Sequence, residues 1–239
     1  MEVTHNGRVV YSAPVSKGII FLRVKLIKPE FVEFKAGQYL AVLLPNSDKA
    51  SYYSIASSPN RRGEVELLVK EDKLGAGAIY LFSLKEGDAI RLHMPMGDAY
   101  LRESSDSNLL FVAGASGASY ARSMIHYLDE SNQLLHREVH YFLGCREEGE
   151  LLESDCMHAL ADKYSGFHYH PALSDQEDWD GHTGLITEVV ERLIPSDISE
   201  WEAYSAGSPA MVKAVADLLI ANKGLKPANF FSDMYTPEI

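Results

Sequence analysis

The chain has 239 residues, enough for one large or two ordinary domains, and its 46% hydrophobic content is that of a globular protein. A net charge of -12, with Arg61-Arg62 as the only adjacent basic pair, argues against nucleic acid and anionic membranes as partners. Its two cysteines, Cys145 and Cys156, lack C-x-x-C spacing, which excludes an iron–sulfur cluster held by this chain alone and fits a reducing compartment.

No apolar run approaches the ~20 residues needed to cross a bilayer. The opening residues, Met1 to Gly7, lack the basic and apolar regions of a signal peptide, so a cytoplasmic location is expected. From Gly7 to about Arg102 the signals are short and strand-like: Arg8 to Tyr11, Gly18 to Val24 and Tyr39 to Leu44. Val65, Leu67 and Val69 then alternate with Glu64, Glu66, Leu68 and Lys70, close to a period of two. Turn chemistry separates these runs at Ala36-Gly37, Pro45-Asn46-Ser47, Ser58-Pro59-Asn60 and Arg62-Gly63. A helix is predicted over Ala78 to Ser83, and a further strand over Ala89 to Met94 after the turn Lys85-Glu86-Gly87-Asp88. Closely spaced short strands of this kind predict an antiparallel barrel or sandwich.

The polar cluster Ser104 to Asn108 marks the expected domain boundary, giving domains 1–103 and 104–239. Beyond it the texture becomes α/β. Leu109 to Gly114 reads as a strand, Ala115-Ser116-Gly117 as a tight turn, and Ala121, Met124, Ile125 and Leu128 as one face of a helix. Strands are predicted at Val139 to Leu143, Gly166 to His170 and Trp201 to Ser205. Helices are predicted at Leu151 to Lys163, at Leu185 to Leu193 with Leu185, Val189 and Leu193 on one face, and along Met211, Val215 and Leu218. This alternation predicts a parallel sheet with helices on both faces. In the turn after Val112 and Ala113, small side chains let a phosphate reach the free N–H groups of the helix start. Only Gly114 and Gly117 are glycines there, so the full G-x-G-x-x-G pattern is absent.

Barrel first and nucleotide-type domain second is an order that, with its motifs, resembles the ferredoxin–NADP reductase superfamily. Ser51-Tyr52-Tyr53-Ser54 resembles the Arg-x-Tyr/Phe-Ser flavin motif, preceded by Phe34 to Leu40 and followed by Pro95 to Arg102. Ala113 to Gly117, Ser119-Tyr120-Ala121-Arg122-Ser123, Gly144 to Glu148, Ala206 to Met211 and Phe230 to Tyr235 follow in the family's order. Within the superfamily the chain is most similar to bacterial NAD(P)H:flavin oxidoreductases, including those that supply luciferase.

The resemblance implies hydride transfer from NADH or NADPH to FMN, FAD or riboflavin, a task of positioning more than acid–base work. It places Ser54 near flavin N5 as the catalytic residue. Ser51, Tyr52, Tyr53, Ile55, Ala56 and Tyr235 complete the expected flavin contacts. Gly114, Ala115, Ser116 and Gly117 would cradle the pyrophosphate, with Ala206, Gly207 and Met211 beside the nicotinamide. Arg146 is the candidate for the adenosine side, where Glu147 and Glu148 pull toward a free ribose hydroxyl, so the choice between NADH and NADPH stays open. The motif arginine is replaced by Ser51, or displaced toward Lys49, with Lys49, Arg61 and Arg62 as the candidates to replace it at the flavin phosphate, and the family's loop glycine is Ala115. The reduced flavin would pass to a flavin-dependent oxygenase, a ferric chelate or oxygen.

Two other readings come from the residues themselves. Gly117-Ala118-Ser119-Tyr120-Ala121 approximates the G-x-S-x-G nucleophile elbow, with Asp178 or Asp180 and His182 downstream in the order of a hydrolase triad. His168 and His170 share a strand face, but no third ligand stands at telling spacing, so no metal site is assigned.

Overall fold

A computed structural model describes residues 2–176 and 178–235. They group into two compact units: those up to Leu101 with Arg122–Tyr127, and Arg102–Ala121 with those from Leu128 onward.

The first unit holds β1 (Val3–Ser16), β2 (Ile19–Lys28), β3 (Tyr39–Leu43), β4 (Ala50–Ser54), β5 (Glu64–Lys70), α1 (Ala76–Ser83) and β6 (Ala89–Met96). The strands form an antiparallel six-stranded sheet in the order β4-β3-β6-β1-β2-β5. Just beyond β4 the Ala56 N–H donates to the Glu66 carbonyl of β5 at 2.8 Å, so the two edges meet and the sheet curls into the predicted barrel. Alternation along β5 and β2 points Val65, Leu67, Val69, Leu22 and Val24 inward, where Leu40, Val42, Leu92 and Leu81 of α1 complete the core.

One expectation changes here, and one strand goes beyond what was predicted. The first strand is far longer than Arg8 to Tyr11, because β1 pairs with β2 along most of its length and with β6 over Val3 to Arg8. Strand β4 carries no apolar run; its backbone is organised by pairing with β3 from Tyr39↔Ser54 to Leu43↔Ala50.

The second unit holds β7 (Leu109–Gly114), α2 (Ala118–Glu130, whose middle belongs to the first unit), β8 (Val139–Cys145), α3 (Ser154–Lys163), β9 (Phe167–Leu173), β10 (His182–Thr183), α4 (Ile186–Leu193), β11 (Glu202–Ala206), α5 (Pro209–Asp217) and β12 (Phe230–Phe231). The sheet is parallel, in the order β10-β9-β8-β7-β11-β12. Leu110, Val112 and Phe142 face the core shared with α4 and α5, while Leu109, Phe111 and Ala113 alternate to the other side and are equally buried. Burial of both faces explains why β7 reads as an unbroken apolar run.

Helix α4 turns its buried face one residue from the predicted one. Leu185 is the N-cap, 61% exposed, and Leu193 is 36% exposed, while Ile186, Val189 and Val190 enter the core. The spacing of 3 and 4 from Ile186 fits the sheet better than a stripe from Leu185. Past α5 the chain continues as a π-helical turn, Leu218–Asn222. The terminal strand β12 is pinned by ring stacking: Phe231 lies 4.9 Å from Tyr204, which lies 5.5 Å from Phe111, and the Arg102 guanidinium covers Phe231 at 4.4 Å.

One buried charge stands out. Glu66 is 1% exposed, and its carboxylate accepts from Arg122 at 2.8 Å and from Arg23 at 2.9 and 3.0 Å, with Arg61 at 3.7 Å. Removing one partner of a buried pair strands the other without its counter-charge. Glu66→Gln should therefore lower the unfolding free energy by about 3 kcal/mol in urea titrations, and a change below about 1 kcal/mol would show that the carboxylate is not holding the barrel.

Candidate functional site

On β4 the pleat separates the flavin-motif residues into two sets. Ser51 and Tyr53 face α1, so closely that a Cβ on Gly77 would lie 2.3 Å from Ser51 and 2.7 Å from the Tyr53 hydroxyl. Only glycine permits that approach. Tyr53 packs against the barrel core, and burial, with Asp72 nearby, pushes its phenol above the usual range. Tyr52 points the other way, 63% exposed and edge-on to Tyr39 at 6.0 Å, and Ser54 shares its side at the end of the strand.

The chain leaving Ser54 is tightly held. Ile55 and Ala56 are fully buried, and their N–H groups donate to the Gln38 and Glu66 carbonyls at 3.0 and 2.8 Å. Arg122 donates to the Ala56 carbonyl at 2.6 Å, and the Ser123 hydroxyl donates to the Ser57 carbonyl at 2.7 Å. Both backbone N–H donors are thus already paired within the protein. The neighbouring motif segments also touch. Gln38 donates from Nε2 to the Gly97 carbonyl at 3.0 Å, Leu101 N–H donates to the Ala36 carbonyl at 2.9 Å, and Lys35 Nζ lies 4.0 Å over the Tyr100 ring.

In the second unit the connection after β7 leads to β8 on one side of the sheet order, while β11 lies on the other. Order reverses there, and a ligand crevice forms at the carboxyl ends of strands flanking such a switch point. Those ends are built from small residues. Strand β7 ends at Gly114 and enters a one-turn 3-10 helix, Ala115–Gly117, that runs directly into α2. A Cβ on Gly117 would lie 2.0 Å from the Ala206 carbonyl oxygen, and one on Gly207 would lie 2.7 Å from Met211 and 3.3 Å from the Gly114 nitrogen. The structure brings together Gly114, Ala115, Ser116, Gly117, Ala206, Gly207 and Met211. Ser208 caps α5 by accepting from Met211 N–H at 3.3 Å, with Pro209 at the first helical position.

Arg146 follows β8, exposed, with its N–H donating to Glu150 Oε2 at 3.0 Å and its carbonyl accepting from Asp175 N–H at 3.0 Å. Tyr235 is half-buried, edge-on to Phe230 at 5.2 Å in the core of this unit. Glu66 and Gly77 were missed by sequence reasoning, their only signals a glutamate in an alternating strand and a glycine next to a predicted helix start, while Arg122 and Ser123 were seen as part of the family-like segment Ser119 to Ser123 but given no role.

The hydrolase arrangement finds no geometric support. His182 lies on the edge strand β10, three strand spacings or about 14 Å from β7, and its ring packs 5.7 Å from His170. Ser119 follows β7 and is 5% exposed. Four histidines, His140, His168, His170 and His182, instead gather on one sheet face. His140 pairs in register with His168, Phe142 pairs with His170, and the His140 ring lies 4.5 Å from His168 and 5.3 Å from His170. Burial, reinforced by the neighbouring imidazoles, pushes His170 down to about 3, and burial also lowers His140 despite its bond to Glu138.

The contact between Gly117 and Ala206 has a measurable consequence. Gly117→Ala forces the turn after β7 away from the end of β11, so stability should fall by about 2 kcal/mol and nicotinamide nucleotide binding should weaken, read by thermal melts and fluorescence titration. Unchanged melting and binding would mean that the two strand ends can part freely.

Comparison with known proteins fits this architecture. Residues 6–100 match the family described as Oxidoreductase FAD-binding domain, and residues 111–217 match Oxidoreductase NAD-binding domain. The chain is 34% identical to the Phenol hydroxylase P5 protein of Acinetobacter pittii (strain PHEA-2), over 88% of this chain and 59% of that protein. It is 32% identical to an NAD(P)H-flavin reductase of Aliivibrio fischeri, over 89% of this chain and 91% of that one. It superposes on the Amycolatopsis cytochrome P450 reductase GcoB with a TM-score of 0.87 at 25% identity, covering 99% of this chain and 71% of that structure. The chain belongs to the FAD- and NAD-binding oxidoreductases, the family that includes the NAD(P)H-flavin reductases, and its fold is that of the ferredoxin–NADP reductases.

Proposed function

We infer that this protein transfers hydride from NADH or NADPH to a flavin that it binds as an exchanging substrate. The observation that carries this reading is the identity with a flavin reductase running over about nine tenths of both chains. Residues 1–103 would then form the flavin domain and residues 104–239 the nucleotide domain. Flavin supplies the two-electron acceptor when bound. Ser54, at the end of β4, would meet the flavin ring near N5; Tyr52 and Tyr53 would pack beside it, and Tyr235 would cover its edge. Gly114 to Gly117 would hold the pyrophosphate against the start of α2, with Ala206, Gly207 and Met211 orienting the nicotinamide and Arg146 the adenosine end.

Flavin exchange follows from charge. Ser51 brings no guanidinium to the place where α1 approaches β4, and Arg61, one replacement considered from sequence, is drawn to the buried Glu66 carboxylate at 3.7 Å. A charge-assisted grip on phosphate is the strong kind. Without it, binding would rest on the isoalloxazine and ribityl parts that riboflavin, FMN and FAD share. A second reading, a reductase that keeps FAD or FMN and passes electrons to a partner oxygenase, is favoured by the 33% identity to a protein named as the reductase component of a phenol 2-monooxygenase in Pseudomonas sp. (strain CF600).

Two measurements separate and test these readings. NADH and NADPH oxidation should proceed with riboflavin, FMN and FAD in turn, and Ser54→Ala should lower the saturated rate by about 10-fold or more while nucleotide affinity stays the same. An unchanged rate would remove Ser54 from the site. After extensive dialysis the protein should be nearly colourless near the flavin band, whereas a stoichiometric yellow protein would favour the electron-transfer reductase.

A further inference from the structure

We propose that Glu138, His140 and His168, at the amino-terminal ends of β8 and β9, form a binding site for a divalent transition-metal ion such as Zn2+. Nothing in hydride transfer to flavin uses these residues. Their ligand atoms all lie within 4.8 Å of one another, and His140 Nε2 stands 3.0 Å from Glu138 Oε1. Zinc bonds of about 2.0 to 2.2 Å to nitrogen and oxygen put tetrahedral donors about 3.3 Å apart, so one pair is already near its ligating separation. The set closes on an ion by rotation of side chains, since the Glu138 side chain is 47% exposed and His168 is half-exposed.

The backbone under the site is fixed. His140 and His168 are register partners on adjacent parallel strands, and Val139 N–H donates to the Gly166 carbonyl at 2.8 Å. Glu138 is tied through its own N–H to Asn108 Oδ1 at 3.1 Å and through its carbonyl to Leu109 N–H at 2.9 Å. Behind the ligands, His140 Nδ1 lies 3.1 Å from His170 Nε2, so the nitrogen that does not face Glu138 has a partner that orients the ring. Metal-ligating histidines are held in this manner, by a hydrogen bond to the other ring nitrogen. Trp201, 5.5 Å from the His140 ring, and Phe142, 4.4 Å from His170, wall the inner side, so a fourth ligand would enter from solvent. Two imidazoles and one carboxylate form a donor set suited to Zn2+, Co2+ or Ni2+ rather than to Ca2+ or Mg2+.

The test is titration of untagged, chelator-stripped protein with Zn2+ by calorimetry, with Co2+ absorption as a second reading of the donor set. Wild type should bind one Zn2+ per chain at micromolar or tighter affinity, and saturating Zn2+ should raise its melting temperature. Glu138→Gln, at an exposed position, should weaken binding by about tenfold or more without altering the circular dichroism spectrum, and His168→Gln should abolish both the binding event and the thermal shift. His126→Gln, at a histidine outside the set, should leave both unchanged. Wild-type affinity weaker than about 100 µM, or binding that survives both Glu138→Gln and His168→Gln, would overturn the proposal.

Discussion

The flavin half of this molecule depends on one buried carboxylate. Glu66 lies on the outer face of β5, opposite Val65 and Leu67, yet is 1% exposed, and its charge is matched by Arg122 and Arg23 rather than by water. The same Arg122 guanidinium donates to the Ala56 carbonyl, and the backbone of Glu66 accepts from Ala56 N–H. One residue therefore fixes the chain just past Ser54 from two directions. A buried ion cluster of this kind is costly to desolvate and contributes little net stability compared with an apolar replacement. Its gain is geometric: the motif serine is presented from a segment that cannot slide along the sheet edge.

The nucleotide half achieves position by the opposite means, by removing side chains. At the switch point between β7 and β11, Gly117 lets a turn lie against the Ala206 carbonyl, and Gly114 and Gly207 bring two strand ends together under Met211. Here small residues are needed because backbone meets backbone. The close approaches fall on Gly114 and Gly117, where a Cβ would meet Met211 or Ala206.

Much of this was legible in the sequence, and the parts that were not share a cause. Periodicity found the central strands because β7 is buried on both faces and β5 on one, so burial writes a pattern into each. Strands β4, β10 and β12 left no such pattern, since they are short and are defined by partners rather than by their own apolar content. Leu185 misled for the same reason: a leucine at helical spacing proved to be an exposed cap, and the neighbouring Ile186 took the core position. Of the candidate site, the short-range turns could be read from residue type. The latch of Arg122 and Ser123 onto Ala56 and Ser57 joins positions 66 residues apart, and no local spacing encodes it.

The histidine cluster shows the same limit and turns on register. His168 and His170 are visible as an alternating pair, but the third and fourth groups arrive from β8 only because Val139 pairs with Phe167 and His140 with His168. A one-residue slip would carry His140 to the opposite face. Parallel pairing also keeps the two ends of the sheet chemically apart. Gly144, which neighbours Gly114 at the carboxyl end, stands four residues or about 13 Å along β8 from His140. A single sheet can therefore leave its carboxyl ends bare for a dinucleotide and still gather nitrogen and oxygen donors where its strands begin, because each end is shaped by different residues of the same strands.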